Sequence, residues 1–216
     1  MSRRLLVWFA VLVVWLAAPV PAGAHRLDEY LQATRLSIDV AHVGLEIDLT
    51  AGVALAQEVF ASIDANRDGE ISGAEGEAYA REMLRAVVLS VDGRPVPVAL
   101  NGIHVPPLRD MSVGTGTIQL RATASVGSTA AGRHHLSYSN THRSESSVYL
   151  VNALVPTDSR IEIAGQQRDR AQHGLAFDYT VTADARSTRT WSLLAALAMI
   201  GVLGITRRPP AKSIVV

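Results

Sequence analysis

Between Arg35 and Leu49 the apolar residues fall on every second position, Leu36, Ile38 and Val40, then Leu45, Ile47 and Leu49, around a break near Gly44. A period of two sends these side chains to one face of a strand and the polar ones to the other, so the spacing predicts a β-hairpin. The alternation returns at Val96, Val98 and Leu100, at Ile118, Leu120 and Ala122, at Leu136 and Tyr138, at Ile161 and Ile163, and from Leu175 through Phe177 and Tyr179 to Val181. Val148 to Val151 is apolar throughout. Turn pairs such as Asp92-Gly93, Asn101-Gly102 and Ala131-Gly132 separate these runs. About eight short strands of this kind describe a mainly β chain, folded as an antiparallel Ig-like β-sandwich with one face of each sheet buried.

One stretch breaks the rhythm. From Val53 to Val88 the composition turns Ala- and Glu-rich and the apolar spacing shifts toward three and four, with the strongest punctuation between Asp64 and Gly73. A helix-loop-helix inserted at 53–88 into a β-domain is the expectation. Its incoming helix presents Val59, Phe60 and Ile63 on one face, and its outgoing helix Tyr79, Met83 and Leu84.

The two ends of the chain carry a different hydrophobic pattern. Arg3 and Arg4, the apolar run Leu5 to Ala18, and Ala22-Gly23-Ala24 have the order of a secretory signal peptide over 1–24, so that His25 becomes the first mature residue. The run would also suit an uncleaved membrane helix, but it is short and ends in Pro19 and Pro21. Near the other end, Trp191 to Ile205 is uncharged and Arg207-Arg208 follows at once. Residues 191–206 therefore predict a single transmembrane anchor, with 186–190 as spacer, 207–216 as a cytoplasmic tail, and the β-domain, 25–185, held in the periplasm or outside the cell. A run of about fifteen residues spans about 22 Å, less than a hydrocarbon core of about 30 Å, so flanking residues or bilayer thinning must make up the rest. A sorting signal that is later removed, or a buried core helix, are the other readings of this run.

Composition narrows the picture further. Lys and Arg total 20 against 20 Asp and Glu, with no basic tract in the middle of the chain, so the electrostatic footprint of a nucleic-acid binder is missing. There are no cysteines, which excludes disulfides and thiolate metal sites.

The candidate chemistry lies in the insertion. Asp64-Ala65-Asn66-Arg67-Asp68-Gly69-Glu70-Ile71-Ser72-Gly73-Ala74-Glu75 fits the twelve-position EF-hand calcium loop at each diagnostic place. Calcium is a hard cation that takes six to eight oxygens. The loop offers the carboxylates of Asp64 and Asp68, the amide oxygen of Asn66, the backbone carbonyl of Glu70, a water held by Ser72, and a bidentate Glu75. Gly69 stands at the sixth position, where the chain bends sharply, and Ile71 is expected to turn inward and tie the loop to the core. The chain holds one such loop, whereas sensors commonly pair two. An exported, unpaired loop points to affinity in the extracellular range, about 10⁻⁴–10⁻³ M, and to Ca2+ as a structural brace.

Three further segments bear a likeness to a known family. Ala24-His25-Arg26-Leu27-Asp28-Glu29-Tyr30-Leu31-Gln32-Ala33, Tyr138-Ser139-Asn140-Thr141-His142-Arg143 and Val148-Tyr149-Leu150-Val151-Asn152-Ala153-Leu154-Val155-Pro156 resemble the exported domain of HupE/UreJ-type membrane proteins, over roughly residues 25–185. The resemblance implies a link with nickel enzymes and with transport. The chain shows one short apolar anchor in place of that family's multi-helix membrane domain, so the expected partner is another membrane protein such as a transporter.

That link gives the histidines an alternative role, in a periplasmic nickel- or copper-handling accessory protein. A mature N-terminal His25 could chelate a transition metal through its free amine and imidazole, with His134, His135 or His142 as a further ligand. His134 and His135 are neighbours in a predicted strand and should face opposite sides. His42, His104 and His173 receive no role. Ser144, Ser146, Ser147, His142 and Glu145 contain the residue types of a hydrolase triad but no motif that would position them, and no enzyme is expected.

Overall fold

The computed structural model describes residues 28–183, apart from residue 128. The segments read as signal peptide, anchor and cytoplasmic tail, and His25, lie outside the described residues. No helix among the described residues is long and apolar enough to cross a membrane.

The described chain is mainly β. Its strands are β1 (Tyr30–Ile38), β2 (His42–Ala51), β3 (Val87–Val91), β4 (Arg94–Pro95), β5 (Val98–His104), β6 (Ile118–Ser125), β7 (Gly132–Asn140), β8 (Ser147–Ala153), β9 (Ile161–Arg168) and β10 (Gly174–Val181). Three helices interrupt them: α1 (Ala56–Ile63), α2 (Gly73–Arg85) and α3 (Leu108–Ser112). The strands form two five-stranded sheets, ordered β5-β6-β2-β1-β8 and β4-β3-β7-β10-β9. Alternate residues of each long strand are buried, as in Val43, Leu45, Ile47 and Leu49 of β2 and Leu175, Phe177, Tyr179 and Val181 of β10. These two rows join Leu120, Leu136 and the helix residues Val59, Phe60 and Met83 in one hydrophobic core, as expected when two sheets face each other across a single apolar layer.

Four sequence expectations change. The β1–β2 hairpin turns at residues 39–41, where Asp39 Oδ1 accepts the N–H groups of Ala41 and His42 at 2.7 Å each. Gly44 instead lies inside β2 opposite Ser37, and a Cβ there would come within 2.5 Å of the Ser37 Oγ. Its glycine serves close approach, not turning. Asn101-Gly102 is likewise within a strand: the ladder between β5 and β6 shifts register between Leu100 and Gly102, and Asn101 Nδ2 donates to Thr123 Oγ1 at 2.8 Å. A bulge accommodates the residues that mimic a turn pair.

The sheets are not wholly antiparallel either. β8 runs parallel to β1, pairing Tyr30 with Ser147 and Leu36 with Ala153. The chain leaves β7 in one sheet, crosses the end of the domain over residues 141–146, and enters the other sheet beside the start of β1. Finally, the inserted helical segment stops at Arg85. Val87–Val91 is a strand, with Val87 and Leu89 buried and Val88 exposed.

Strand directions then sort the connections onto two ends of the domain. The first, here the helical end, gathers α1, α2 and their loop, α3, residues 141–146 and the start of β1. The second, the turn end, gathers the β1–β2 turn, the β3–β4 turn, the β6–β7 and β8–β9 connections and the exit from β10.

Candidate metal centre

α1 buries Ala56, Val59, Phe60 and Ile63, the i, i+3, i+4, i+7 stripe of an amphipathic helix. It ends at Asp64, whose N–H reaches the Phe60 carbonyl at 3.0 Å. The Asp64 side chain is buried and folds back over the loop. Oδ1 accepts the Asp68 N–H at 3.2 Å and Oδ2 the Gly69 N–H at 2.9 Å. Arg67 and Gly69 both take positive φ, 61° and 86°, which makes the sharp reversal and aims successive N–H groups at Asp64.

Within the loop Asn66 Oδ1 accepts the Asp68 N–H at 2.9 Å, Asn66 Nδ2 donates to Asp68 Oδ2 at 2.8 Å, and Asp68 Oδ1 accepts the Glu70 N–H at 2.9 Å. Ile71 is half-buried against the core, as its inward orientation requires.

α2 starts with a complete capping box. Ser72 Oγ accepts the Glu75 N–H at 3.3 Å, and Glu75 Oε2 accepts the Ser72 N–H at 2.9 Å and its hydroxyl at 2.7 Å. The other oxygen of Glu75 reaches across the loop to the N–H groups of Ala65 at 2.9 Å and Asn66 at 3.2 Å. Glu75 thus cross-links the two ends of the twelve-residue segment. These hydrogen bonds, from Ser72 first, hold its carboxyl down at about 2.

Among the described residues no three His, Cys, Asp or Glu side chains are gathered as a metal would need them. Asp64, Asp68 and Glu75 are brought to one loop, but their oxygens are spent on N–H and O–H donors. A carboxylate has about four lone-pair sites. Asp64 uses two of them on the loop, whereas Glu75 uses four. A bidentate ion at Glu75 must therefore displace existing hydrogen bonds, while one at Asp64 need not.

The helices are fastened to the β-domain by contacts among Tyr30, Tyr79, His142 and Arg143 that the sequence does not signal. Tyr79 of α2 shares a 2.8 Å hydrogen bond with Tyr30 of β1, and its hydroxyl lies 3.3 Å from His142 Nε2. Arg143 of the same crossing loop, at φ 52°, donates to Glu58 and to Ser62 Oγ of α1 at 3.1 Å each, and its guanidinium lies 5.8 Å over the Tyr30 ring. The loop is itself held from below. The His142 carbonyl accepts from Gln32 Nε2 and from the Tyr149 hydroxyl at 2.6 Å each, and its N–H donates to Asn140 Oδ1 at 2.9 Å. Asn140 Nδ2 donates in turn to Gln32 Oε1 at 2.9 Å. Burial, reinforced by Arg143, pushes the His142 imidazole down to about 4. One signal for this cluster was present in the chain: Gln32 and Thr34 occupy inward positions of β1, where the alternation calls for apolar residues.

Of the histidines read as transition-metal ligands, His134 and His135 are not brought together with His142, and His25, with which one of the three would pair, lies outside the described residues. His142 sits at the helical end, with its ring against Tyr79 and Tyr30. His134 and His135 lie near the turn end of β7, six and five residues before Asn140, hence about 17–20 Å away along the strand. They face opposite sides, as expected. His134 Nδ1 meets Asp92 at 2.8 Å and its Nε2 meets the Ala130 carbonyl at 2.8 Å, while His135 Nδ1 meets Asp178 at 2.8 Å. In the serine-rich stretch Ser144 Oγ donates to Glu145, and Ser147 Oγ accepts from Gln32 Nε2 and donates to the His142 carbonyl.

Comparison with protein-family models and with curated proteins finds no match to this chain.

Proposed function

We propose that residues 64–75 bind one calcium ion as a single EF-hand loop, and that the ion braces a helix pair on the end of an exported, membrane-anchored β-domain. The observation that carries this reading is the fold of the loop itself. Six oxygen-bearing residues stand at positions one, three, five, seven, nine and twelve, the sixth position is a glycine at φ 86°, and the first and last ligands both close over the loop backbone. Asp64, Asn66 and Asp68 supply side-chain oxygens, Glu70 its carbonyl, Ser72 a bridging water, and Glu75 both carboxylate oxygens once a bond from Ala65 or Asn66 on one and the Ser72 hydroxyl bond on the other are exchanged for the ion.

The role of brace follows from what the two helices touch. α1 reaches Arg143 and α2 reaches His142, neighbours in one crossing loop. Fixing the angle between the helices therefore fixes two contacts on a single segment of the β-domain. Binding confined to the folded state adds about 2.7 kcal/mol when calcium stands at about a hundred times the dissociation constant.

Thermal melts of the purified, signal-cleaved chain in calcium, in magnesium and in chelator test the reading. Calcium is expected to raise the melting temperature, with half of the effect at about 10⁻⁴–10⁻³ M. Coincident calcium and chelator melts would overturn it, and Asp64→Asn should make the two curves coincide.

A further inference from the structure

Every large hydrophobic side chain that a soluble β-domain leaves in water needs a reason once it is nearly fully exposed and lies beside others. Val155 is 90% exposed, more than any other large hydrophobic residue among those described, and its neighbour Leu154 is 39% exposed. Both belong to the β8–β9 connection at the turn end of the domain. The chain leaves the domain at the same end: Thr182, just past β10, donates its N–H to the Arg160 carbonyl at 2.8 Å, and Arg160 closes that same β8–β9 connection. From residue 183 to Trp191, where the apolar run 191–206 begins, the chain advances eight residues. At full extension that is about 29 Å.

We propose that the turn end of the domain rests on the lipid bilayer, with Val155 and Leu154 as its apolar contact. The inference rests on reading 191–206 as a membrane anchor. Given that anchor, the tether decides which end meets the lipid. β10 is eight residues long, so the helical end stands about 24 Å farther from the exit. Val53 and Val113 are exposed there, at 44% and 68%. To lay them on the bilayer the tether would have to run back along the whole domain and use nearly all of its reach. Val155 and Leu154 need almost none of it.

The charges around the contact fit a lipid surface and not a specific anion site. Asp158 and Arg160 neutralise each other at 2.7 Å, and Glu162 and Arg168, which line one shallow pocket with Leu154 and Val155, are of opposite sign. Among the described residues no basic cluster of the kind that selects anionic headgroups accompanies the valine and leucine. The docking should accordingly depend on apolar insertion and respond weakly to salt. The calcium loop then points away from the membrane.

The chain has no native cysteine, so single-cysteine variants of the full, signal-cleaved protein report on each end. Val155→Cys and, as the distal control, Gln57→Cys on the exposed face of α1 carry an environment-sensitive fluorophore, and the protein is reconstituted into vesicles of equimolar phosphatidylcholine and phosphatidylglycerol. Flotation tests the anchor. The fluorophore at 155 is expected to shift to the blue and to be quenched several-fold more than that at 57 by a quencher carried on the lipid chains, with little change in high salt. A second pair, Leu154→Cys with and without Val155→Asp, should show the blue shift only without the aspartate. Flotation with both probes equally in water overturns the docking while leaving the anchor intact. Failure to float overturns both. Protection of residue 155 in native membranes but not in protein-free vesicles also overturns the proposal, in favour of a protein partner at this end.

Discussion

The two ends of this β-domain close their strands in opposite ways. At the turn end single aspartates hold backbone groups. Asp39 holds the N–H groups of Ala41 and His42 and Asp158 that of Arg160, each within its own connection, while Asp92 reaches that of His135 in β7; Asp39 and Asp92 are about half exposed and Asp158 is half-buried. At the helical end the partners come from far along the chain. Tyr30 meets Tyr79, Gln32 meets Asn140 and His142, and Glu58 meets Arg143, across separations of 49 to 110 residues. A local turn can be altered with little consequence elsewhere. A buried polar cluster has to be satisfied as a unit, because each member that loses its partner keeps its desolvation penalty. The difference predicts where the molecule is fragile.

The sharpest break in that comparison is Tyr30→Ala. Tyr30 is fully buried, and truncation removes both a large core side chain and the hydroxyl that ties α2 to β1. A loss of about 3–5 kcal/mol is expected by analogy with other buried aromatic deletions, read from denaturant unfolding. Val155→Ser at the other end should change stability by less than about 0.5 kcal/mol in the absence of lipid. Comparable losses at both positions would refute the contrast. Tyr30→Phe should fall between them at about 1 kcal/mol, since only the hydrogen bond is lost.

Calcium gives the next largest effect. The stabilisation of about 2.7 kcal/mol expected at about a hundredfold excess over the dissociation constant should appear first as slowed amide exchange in α1, α2 and residues 141–146. The β1–β2 and β3–β4 turns should exchange at unchanged rates. Uniform protection over both ends would mean that the ion stabilises the domain as a whole and does not brace one end.

The chain announced the turn end and the helix-loop-helix more clearly than the polar cluster that fastens the helices. Alternation located β2, β6, β7 and β10 because these strands have one wet and one dry face. Asp92-Gly93 was legible as a turn because its two residues take φ 51° and 74°, which few residue pairs tolerate. The bend between the helices was legible for a similar reason, since it needs a glycine where φ reaches 86°. Gly44 and Asn101-Gly102 misled because glycine marks close approach and bulges as well as turns. The parallel pairing of β1 with β8 has no local signature, and neither has the Tyr30–Tyr79–His142 contact, whose members are spread over three separate segments. Gln32 was detectable as a polar residue on a dry face, but its partners were not.

Acid titration sharpens the comparison through two histidines whose shifts have opposite signs. Burial lowers His142 from 6.5 to about 4, with Arg143 adding to the effect and Glu82 opposing it. The unfolded chain therefore takes up this proton first, and stability falls as pH drops from about 6.5 toward 4. His134 is raised, chiefly by its hydrogen bond to Asp92. Its contribution is complete below the unfolded value near 6.5 and is lost as pH rises through the folded one. Glu75 acts lower still: with its carboxyl held at about 2, its share fades as pH falls from 4.5 toward that value. Denaturant unfolding across pH should show His142→Gln flattening the slope between about 6.5 and 4 and His134→Gln flattening the one above. A His142 ring that titrates near 6.5 by NMR would place it in water and separate it from Tyr79.

The smallest effect isolates the ion from the backbone. Gly69 in the 64–75 loop and Gly93 in the β3–β4 turn have φ of 86° and 74°, and a Cβ at either meets nothing within 4 Å. Alanine at either site is therefore penalised by backbone conformation alone, by about 1 kcal/mol. Chelator-treated Gly69→Ala and Gly93→Ala should melt alike. Calcium must separate them, because a strained bend at the sixth loop position misplaces the Asp64, Asp68 and Glu70 oxygens on either side of it, while the β3–β4 turn lies at the opposite end of the strands. Gly93→Ala should then regain the full calcium shift and Gly69→Ala only a part of it. If both regain it equally, the bend at Gly69 is a property of the helix connection and the ion does not depend on it.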